Sequence, residues 1–217
     1  MSLTSIRVLV ESADRKVFVS ALDWPGLSRG GKTEEAAIGA VLAVAPRYAP
    51  VAAAAGYPLD VDGLVIEATE RLDGDASTVF GVPAIVAAAD RDPVSATEGQ
   101  RLASIVEAAW AELDRVAAGA PEELRKGPRG GGRDRTKVVQ HVVDAEAAYA
   151  SVIGIRHKPM EPASLAAMRA DILEVLRQPS DGSPIAGRRW PPRYAARRIA
   201  WHVLDHAWEI EDRSDPA

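Results

Sequence analysis

The sequence predicts an α+β protein in which a small ββαββ unit, residues 1–90, precedes a four-helix bundle, residues 91–217. Two patterns support this division. In the front part, short runs of apolar residues alternate with polar ones, as in half-buried strands. Beyond Asp92 and Pro93, apolar residues instead recur at helical spacing over long stretches. The 217 residues are enough to build two small cores.

The front unit begins with two predicted strands. Residues 5–22 alternate in the manner of a β-hairpin around the polar turn 12–15. Thr33 then has the side chain of a good helix N-cap, and the helix is predicted to run to about Val44. Pro46 and Pro50 are expected to end it.

The second half of the front unit is predicted to return to strands. Residues 61–72 and 78–87 are rich in β-forming residues, and Asp73, Gly74 and Asp75 between them are typical of a turn. The predicted order is therefore strand, strand, helix, strand, strand.

The bundle is predicted from four amphipathic segments. They are residues 97–118, 134–153, 162–177 and 194–213. The basic, glycine-rich segment 126–133 joins the first two helices. Because it follows a helix and lacks a Gly-Lys-Ser/Thr ending, we interpret it as a flexible connection and not as a phosphate-binding loop.

Composition excludes several classes of function. The chain has no cysteine, so disulfides, thiolate metal sites and cysteine nucleophiles are excluded. A net charge of −5 does not favour nucleic acid as a partner. We expect no signal peptide and no apolar segment as long as a membrane is thick, and hence a cytoplasmic protein with no membrane partner.

Three of the four histidines carry the strongest chemical signal. His202 and His206 are four residues apart, so a helix places both imidazoles on one face. His141 lies on the apolar face of the second predicted helix of the bundle. Facing helices of a bundle commonly build metal sites, and three imidazoles leave a position for water or substrate. The alternative is that these are hydrogen-bonded core histidines, with His157 on the surface.

Two segments carry a family resemblance. KVVQHVVDAEAAYASVIG and RRIAWHVLDHAWEIEDR resemble the metal-binding helices of the DinB/YfiT-like superfamily, over roughly residues 95–213. The resemblance implies a four-helix bundle with His141, His202 and His206 as ligands of a divalent metal, Zn or Ni. It also implies relatives that are thiol-dependent S-transferases, thiol-using isomerases or hydrolases.

Side chains near the histidines leave further roles open. Glu209 is a candidate catalytic base or support for a ligating histidine, or else a partner of Arg213 on a solvated face. Asp144 and Glu146 project away from the face of His141 and are expected on the surface.

Basic and aromatic residues around the last helix have two interpretations each. Arg193 and Arg197 belong to a basic run, Arg188, Arg189, Arg193, Arg197 and Arg198, that is able to bind an anionic substrate or cofactor or to form a solvated rim. Tyr149 and Trp201 either line a pocket or belong to the core, and Trp208 is expected in the core.

The front unit has its own resemblance. Its paired strands, the turn Asp23-Trp24-Pro25-Gly26-Leu27-Ser28 and the helix start at Thr33 resemble the HicB-like antitoxin fold over residues 5–45. No DNA-binding segment is evident after it, so we expect a dimerisation or docking unit, or a cover for the bundle's site.

Together these observations predict a metal-dependent enzyme. Its substrate would be a small molecule, its cofactor a divalent metal and its cosubstrate a low-molecular-weight thiol, with a homodimer as one possible assembly. The alternative is a non-catalytic metal-binding or interaction protein whose front unit docks a protein partner.

Overall fold

The computed structural model describes residues 4–127, 131–157 and 162–214, which form an N-terminal four-stranded sheet followed by helices. Strand β1 (Ser5–Ala13) pairs antiparallel with β2 (Lys16–Ala21), and β2 pairs antiparallel with β3 (Ser28–Gly31). Strand β4 (Val65–Asp73) lies parallel to β1 on the opposite edge, which gives the order β3-β2-β1-β4. The α+β class is therefore confirmed.

The connection from β3 to β4 contains helix α1 (Glu34–Ala54), which packs against β2 and β3. As expected, the Thr33 hydroxyl caps it by accepting a hydrogen bond from the backbone N–H of Ala36. The helix does not end near Val44, however, but continues for ten residues through Pro46 and Pro50.

By length and composition alone, α1 is apolar enough to cross a membrane. Its apolar length was not expected from the sequence, where the two prolines divide the segment. A single helix of this kind is weak evidence for a span, because buried core helices share these properties. The buried face of α1 packs on the sheet and on a bundle helix, as a core helix does.

Two predicted elements of the front unit are wrong. Residues 28–31, which were not predicted as a strand, form β3. Residues 78–87, predicted as a strand, begin in the single helical turn α2 (Ala76–Val79) and then run outside the sheet. The observed order is therefore βββαβ and not ββαββ, because the hairpin gains a third strand and the fourth predicted strand, residues 78–87, is absent.

The helical part follows the prediction closely. Its helices are α3 (Ala96–Gly119), α4 (Arg135–Val152), α5 (Pro162–Arg177) and α6 (Pro192–Ser214). Helix α3 packs against α5 and α6, and α4 packs against the same two helices. Of the connection predicted at 126–133, residues 128–130 lie outside the described residues.

One contiguous apolar core contains residues of both parts of the chain. It extends from Ile6 and Val8 in β1, through Tyr48 in α1, to Leu204 and Ile210 in α6. Helix α6 thus has the sheet on one side and the other helices on another, and it is this buried helix that carries two of the candidate ligands.

Candidate metal centre

The three predicted histidines meet between two packed helices. His141 lies on α4, and His202 and His206 lie one turn apart on the facing side of α6. The ring centroid of His141 is 5.2 Å from that of His202 and 4.9 Å from that of His206. The rings of His202 and His206 are 4.7 Å apart. The structure therefore brings together all three candidate ligands.

The donor atoms are close to the spacing that a metal ion requires. One nitrogen from each ring can be chosen so that all three lie within 4.8 Å of one another. Nitrogens bound tetrahedrally to zinc at 2.0–2.1 Å are about 3.3 Å apart, so a modest closure of the rings would suffice. The donor set, three imidazoles, suits zinc, nickel and similar borderline ions.

Electrostatics favour the neutral imidazoles that ligation requires. Burial is the main cause that lowers the pKa of His202 to about 2, and nearby His206 and Arg198 act in the same direction. The pKa of His141 is also lowered, first by burial and then by His206. Because a protonated ring nitrogen cannot bind a metal, these two shifts favour metal binding by His141 and His202 at neutral pH.

The two histidines on α6 differ in the hydrogen bonding of their Nδ1 atoms. The Nδ1 of His206 lies 2.7 Å from a carboxylate oxygen of Glu209, which leaves its Nε2 for a metal. Within the described ranges 4–127, 131–157 and 162–214, the Nδ1 of His202 is buried without a hydrogen-bond partner. An unpartnered buried ring nitrogen is unusual and fits a ligand position better than a core histidine.

Glu209 combines the two roles considered from the sequence. One of its oxygens bonds His206, and the other accepts a hydrogen bond of 2.7 Å from Arg213. The hydrogen bond with His206, together with the Arg213 contacts, lowers the pKa of Glu209 despite partial burial. Glu209 is therefore an ionised carboxylate that orients a candidate ligand, an arrangement common around metal-bound histidines.

Arg193 and Arg197, predicted to bind a cofactor, are engaged with protein carboxylates. Arg197 forms a buried two-pronged pair with Asp90, with N···O distances of 2.9 and 2.5 Å. Arg193 donates a 2.9 Å hydrogen bond to Glu98. These bonds connect α6 to the residues just before α3 and at its start. The carboxylates of Asp90 and Glu98 balance the charges of the two arginines without a ligand.

A different arginine of the same run lies beside the histidines. The guanidinium carbon of Arg198 is 5.1 Å from the ring centroid of Tyr149 and 4.8 Å from that of Trp201. The Tyr149 ring in turn lies 5.6 Å from the ring of His202. Arg198 is four residues before His202, so the sequence places both on one face of α6. This spacing alone did not distinguish Arg198 from the other arginines of the basic run.

The remaining predictions have mixed outcomes. Trp208 is buried, as expected, and Asp144 is exposed and bonded to Gln140. Glu146 is fully buried and not on the surface, because Arg169 pairs with it at 3.0 and 3.2 Å. His157 lies apart from the cluster, 2.7 Å from Asp171.

Comparisons with protein-family models, with curated proteins and with solved structures found no match for this chain.

Proposed function

We propose that this protein is a metal-dependent enzyme that acts on a small molecule. One observation carries the proposal: three imidazoles from two packed helices converge within 4.8 Å, and the most buried of them has no other partner for its Nδ1. A divalent ion there supplies Lewis acidity, which lowers the pKa of a bound thiol or water.

The protein side of the site supports catalysis in three ways. His141, His202 and His206 would hold the ion, and three protein ligands would leave a position for a substrate or cosubstrate. Glu209 orients the ring of His206 and is the candidate base. Partial exposure of His141 and His206 keeps the site within reach of solvent.

The resemblance of α4 and α6 to the DinB/YfiT-like helices favours particular chemistry. We propose thiol transfer, thiol-dependent isomerisation or hydrolysis, with zinc or nickel as the metal. Since the chain contains no cysteine, the thiol would be a separate cosubstrate. In this proposal residues 91–217 form the DinB-like bundle and residues 1–90 a HicB-like unit, and the protein is cytoplasmic.

The first test is elemental analysis of protein purified without added metal. We expect about one divalent ion per chain in the wild type. His141→Ala, His202→Ala and His206→Ala should each lose most of it. His157→Ala is the matched control, since this histidine lies outside the cluster, and it should keep the metal. Full metal content in a His202→Ala/His206→Ala double variant would overturn the assignment.

A non-catalytic metal-binding protein is the second candidate, and its front unit would dock a protein partner. The two candidates differ in the fourth coordination position. Cobalt-substituted protein whose visible spectrum changes on adding a small thiol has an exchangeable position and supports the enzyme. A spectrum unaffected by thiols and by other small ligands indicates a closed, structural site.

A further inference from the structure

We propose that Arg198 forms a carboxylate-binding subsite beside the three-histidine centre and so selects substrates or thiols that carry a carboxylate. This inference rests on the proposed function, because it places the anionic group of a metal-bound molecule. Neither Arg193 nor Arg197 can take this role of Arg198, since both are paired with carboxylates of the protein.

The position of Arg198 follows from helix geometry. Arg198, His202 and His206 are four residues apart in succession, so they form one row along α6. Each step of four residues advances about 6 Å along the helix axis. On the facing helix α4, His141 lies opposite the two histidines. Tyr149, two turns further along α4, lies against Arg198. The guanidinium of Arg198 therefore lies near enough to the candidate metal centre for one small molecule to contact both.

The side chain is held in place but not neutralised. Its guanidinium contacts the rings of Tyr149 and Trp201, as the distances above show, and cation–π contacts of this kind orient an arginine without supplying an acceptor. Its Nη1 is buried and has no hydrogen-bond partner among the residues that the structure describes. The indole N–H of Trp201 is likewise buried without an acceptor.

Two adjacent buried donors without acceptors require an explanation, because leaving such groups unpaired is unfavourable. A planar carboxylate can accept two parallel hydrogen bonds from the forked donors of an arginine. Burial and His206 are the first causes that lower the pKa of His202, and the cationic Arg198 and Arg133 act in the same direction. With three neutral ligands, a bound divalent ion would make the site more positive still.

The front unit leaves little room on one side of Arg198. Arg198 and Trp201 line a cavity of about 10 Å³ that Ser20, Ser28 and Pro83 also line. Phe18 of β2 packs edge-on against Trp201, with ring centroids 6.3 Å apart. Because this cavity has room for about one water molecule, the carboxylate of the proposed subsite would lie outside it.

The test uses cobalt-loaded protein and two thiols of equal length. Mercaptopropionate carries a carboxylate, and mercaptopropionamide carries a neutral amide in its place. Binding is followed by the thiolate-to-cobalt absorption band and by calorimetry. We expect the wild type to bind mercaptopropionate roughly 10-fold or more tightly than the amide, as a charge-assisted hydrogen bond would give.

The variants separate recognition from structure. Arg198→Gln should bring the two thiols to within about twofold of each other while leaving the affinity for the amide unchanged. Arg198→Lys should keep part of the preference, because it retains the charge but not the fork. Arg115→Gln is the control, since Arg115 is exposed on α3 and pairs with Glu112.

Each outcome decides the matter. An unchanged preference in Arg198→Gln, or an equal loss of affinity for both thiols, would overturn the inference and leave Arg198 a packing residue. If Arg198→Gln does not fold, Arg198→Lys decides: a preference for mercaptopropionate equal to that of the wild type, or no preference in the wild type itself, would overturn the inference. Failure of the wild type to take up cobalt would instead overturn the proposed function itself.

Discussion

The charge of His202 depends on whether the chain is folded. Only 7% of the residue is exposed, and burial is the first cause of its lowered pKa. In the unfolded chain the ring returns to its ordinary value of 6.5. Between pH 6.5 and the folded pKa of about 2, the unfolded chain therefore binds a proton that the native protein does not.

This difference sets the sign of a pH effect on the metal-free protein. Its stability should be full above the unfolded pKa and should fall as the pH drops below it, by at most about 1.4 kcal/mol per pH unit. We expect urea unfolding of chelator-treated protein to show a loss of about 1–2 kcal/mol between pH 7 and pH 5. His202→Gln should flatten this dependence. Equal slopes in the variant and the wild type would contradict the buried, neutral state of the ring.

Glu209 offers a second test at the scale of a single residue. Because its carboxylate holds the ring of His206 at 2.7 Å, Glu209→Gln should weaken metal affinity roughly 10- to 100-fold without unfolding the protein. Competition with a chromogenic chelator measures the change. Glu211→Gln is the matched control on the same helix, since Glu211 pairs with Arg47 instead. A loss in both variants alike would show that Glu209 has no particular link to the ligand.

At the scale of single residues, the sequence predicted the features that depend on residues close together in the chain. The three-histidine cluster could be predicted because His202 and His206 are one helical turn apart and His141 lies on an apolar face of its helix. The pairing of Arg197 with Asp90 could not, because it joins positions 107 residues apart and neither side chain carries a local sign of it. The same holds for Glu146, whose burial depends on Arg169 of another helix.

At the scale of elements, helix α1 shows how tertiary packing overrides a local rule. Pro46 and Pro50 each remove a helical hydrogen bond, which favours a helix end. Both prolines, however, lie on the exposed face, while Tyr48 and Val51 continue the buried stripe. Burial of that stripe offsets the missing hydrogen bonds, so the helix continues to Ala54.

The absence of the fourth predicted strand has a different cause. Residues 82–87 are mostly apolar, as in a strand, but they lie outside the sheet, and two carboxylates of the sheet bond the backbone of this segment and of the two residues after it. Glu11 accepts hydrogen bonds from the N–H groups of Ala84 and Ile85, and Glu70 accepts those of Ala88 and Ala89. A segment bonded by side chains needs no ladder, and alternation of residue types cannot distinguish the two situations.

At the scale of the whole molecule, the sheet and the helices are joined along α6. Arg29 of β3 lies 4.5 Å from the ring of Trp208 and bonds Asp205 at 3.1 Å. The turn at Gly26 packs directly on Ala200 and Leu204. Helix α6 therefore receives its position, and that of His202 and His206, partly from the front unit. Sequence patterns within each part could not reveal this contact.

Gly26 and Gly56 allow the contact to be tested. Both have positive φ, +97° and +85°, so an alanine is strained at either position. A Cβ on Gly26 would meet Leu204 at 2.7 Å, whereas a Cβ on Gly56 would meet nothing within 4 Å. Both variants should lose about 1 kcal/mol through backbone strain. Gly26→Ala should lose a further 1–3 kcal/mol, roughly, because α6 must shift.

The shift of α6 should also reach the candidate metal centre, because His202 and His206 belong to the same helix and each lies two residues from Leu204. We therefore expect Gly26→Ala to bind metal more weakly than Gly56→Ala, measured by the same chelator competition, although neither glycine is near a ligand in sequence. Equal stability and equal metal affinity in the two variants would mean that the front unit rests on the bundle without positioning it. A difference in both stability and metal affinity would show that the front unit helps to position the candidate metal centre.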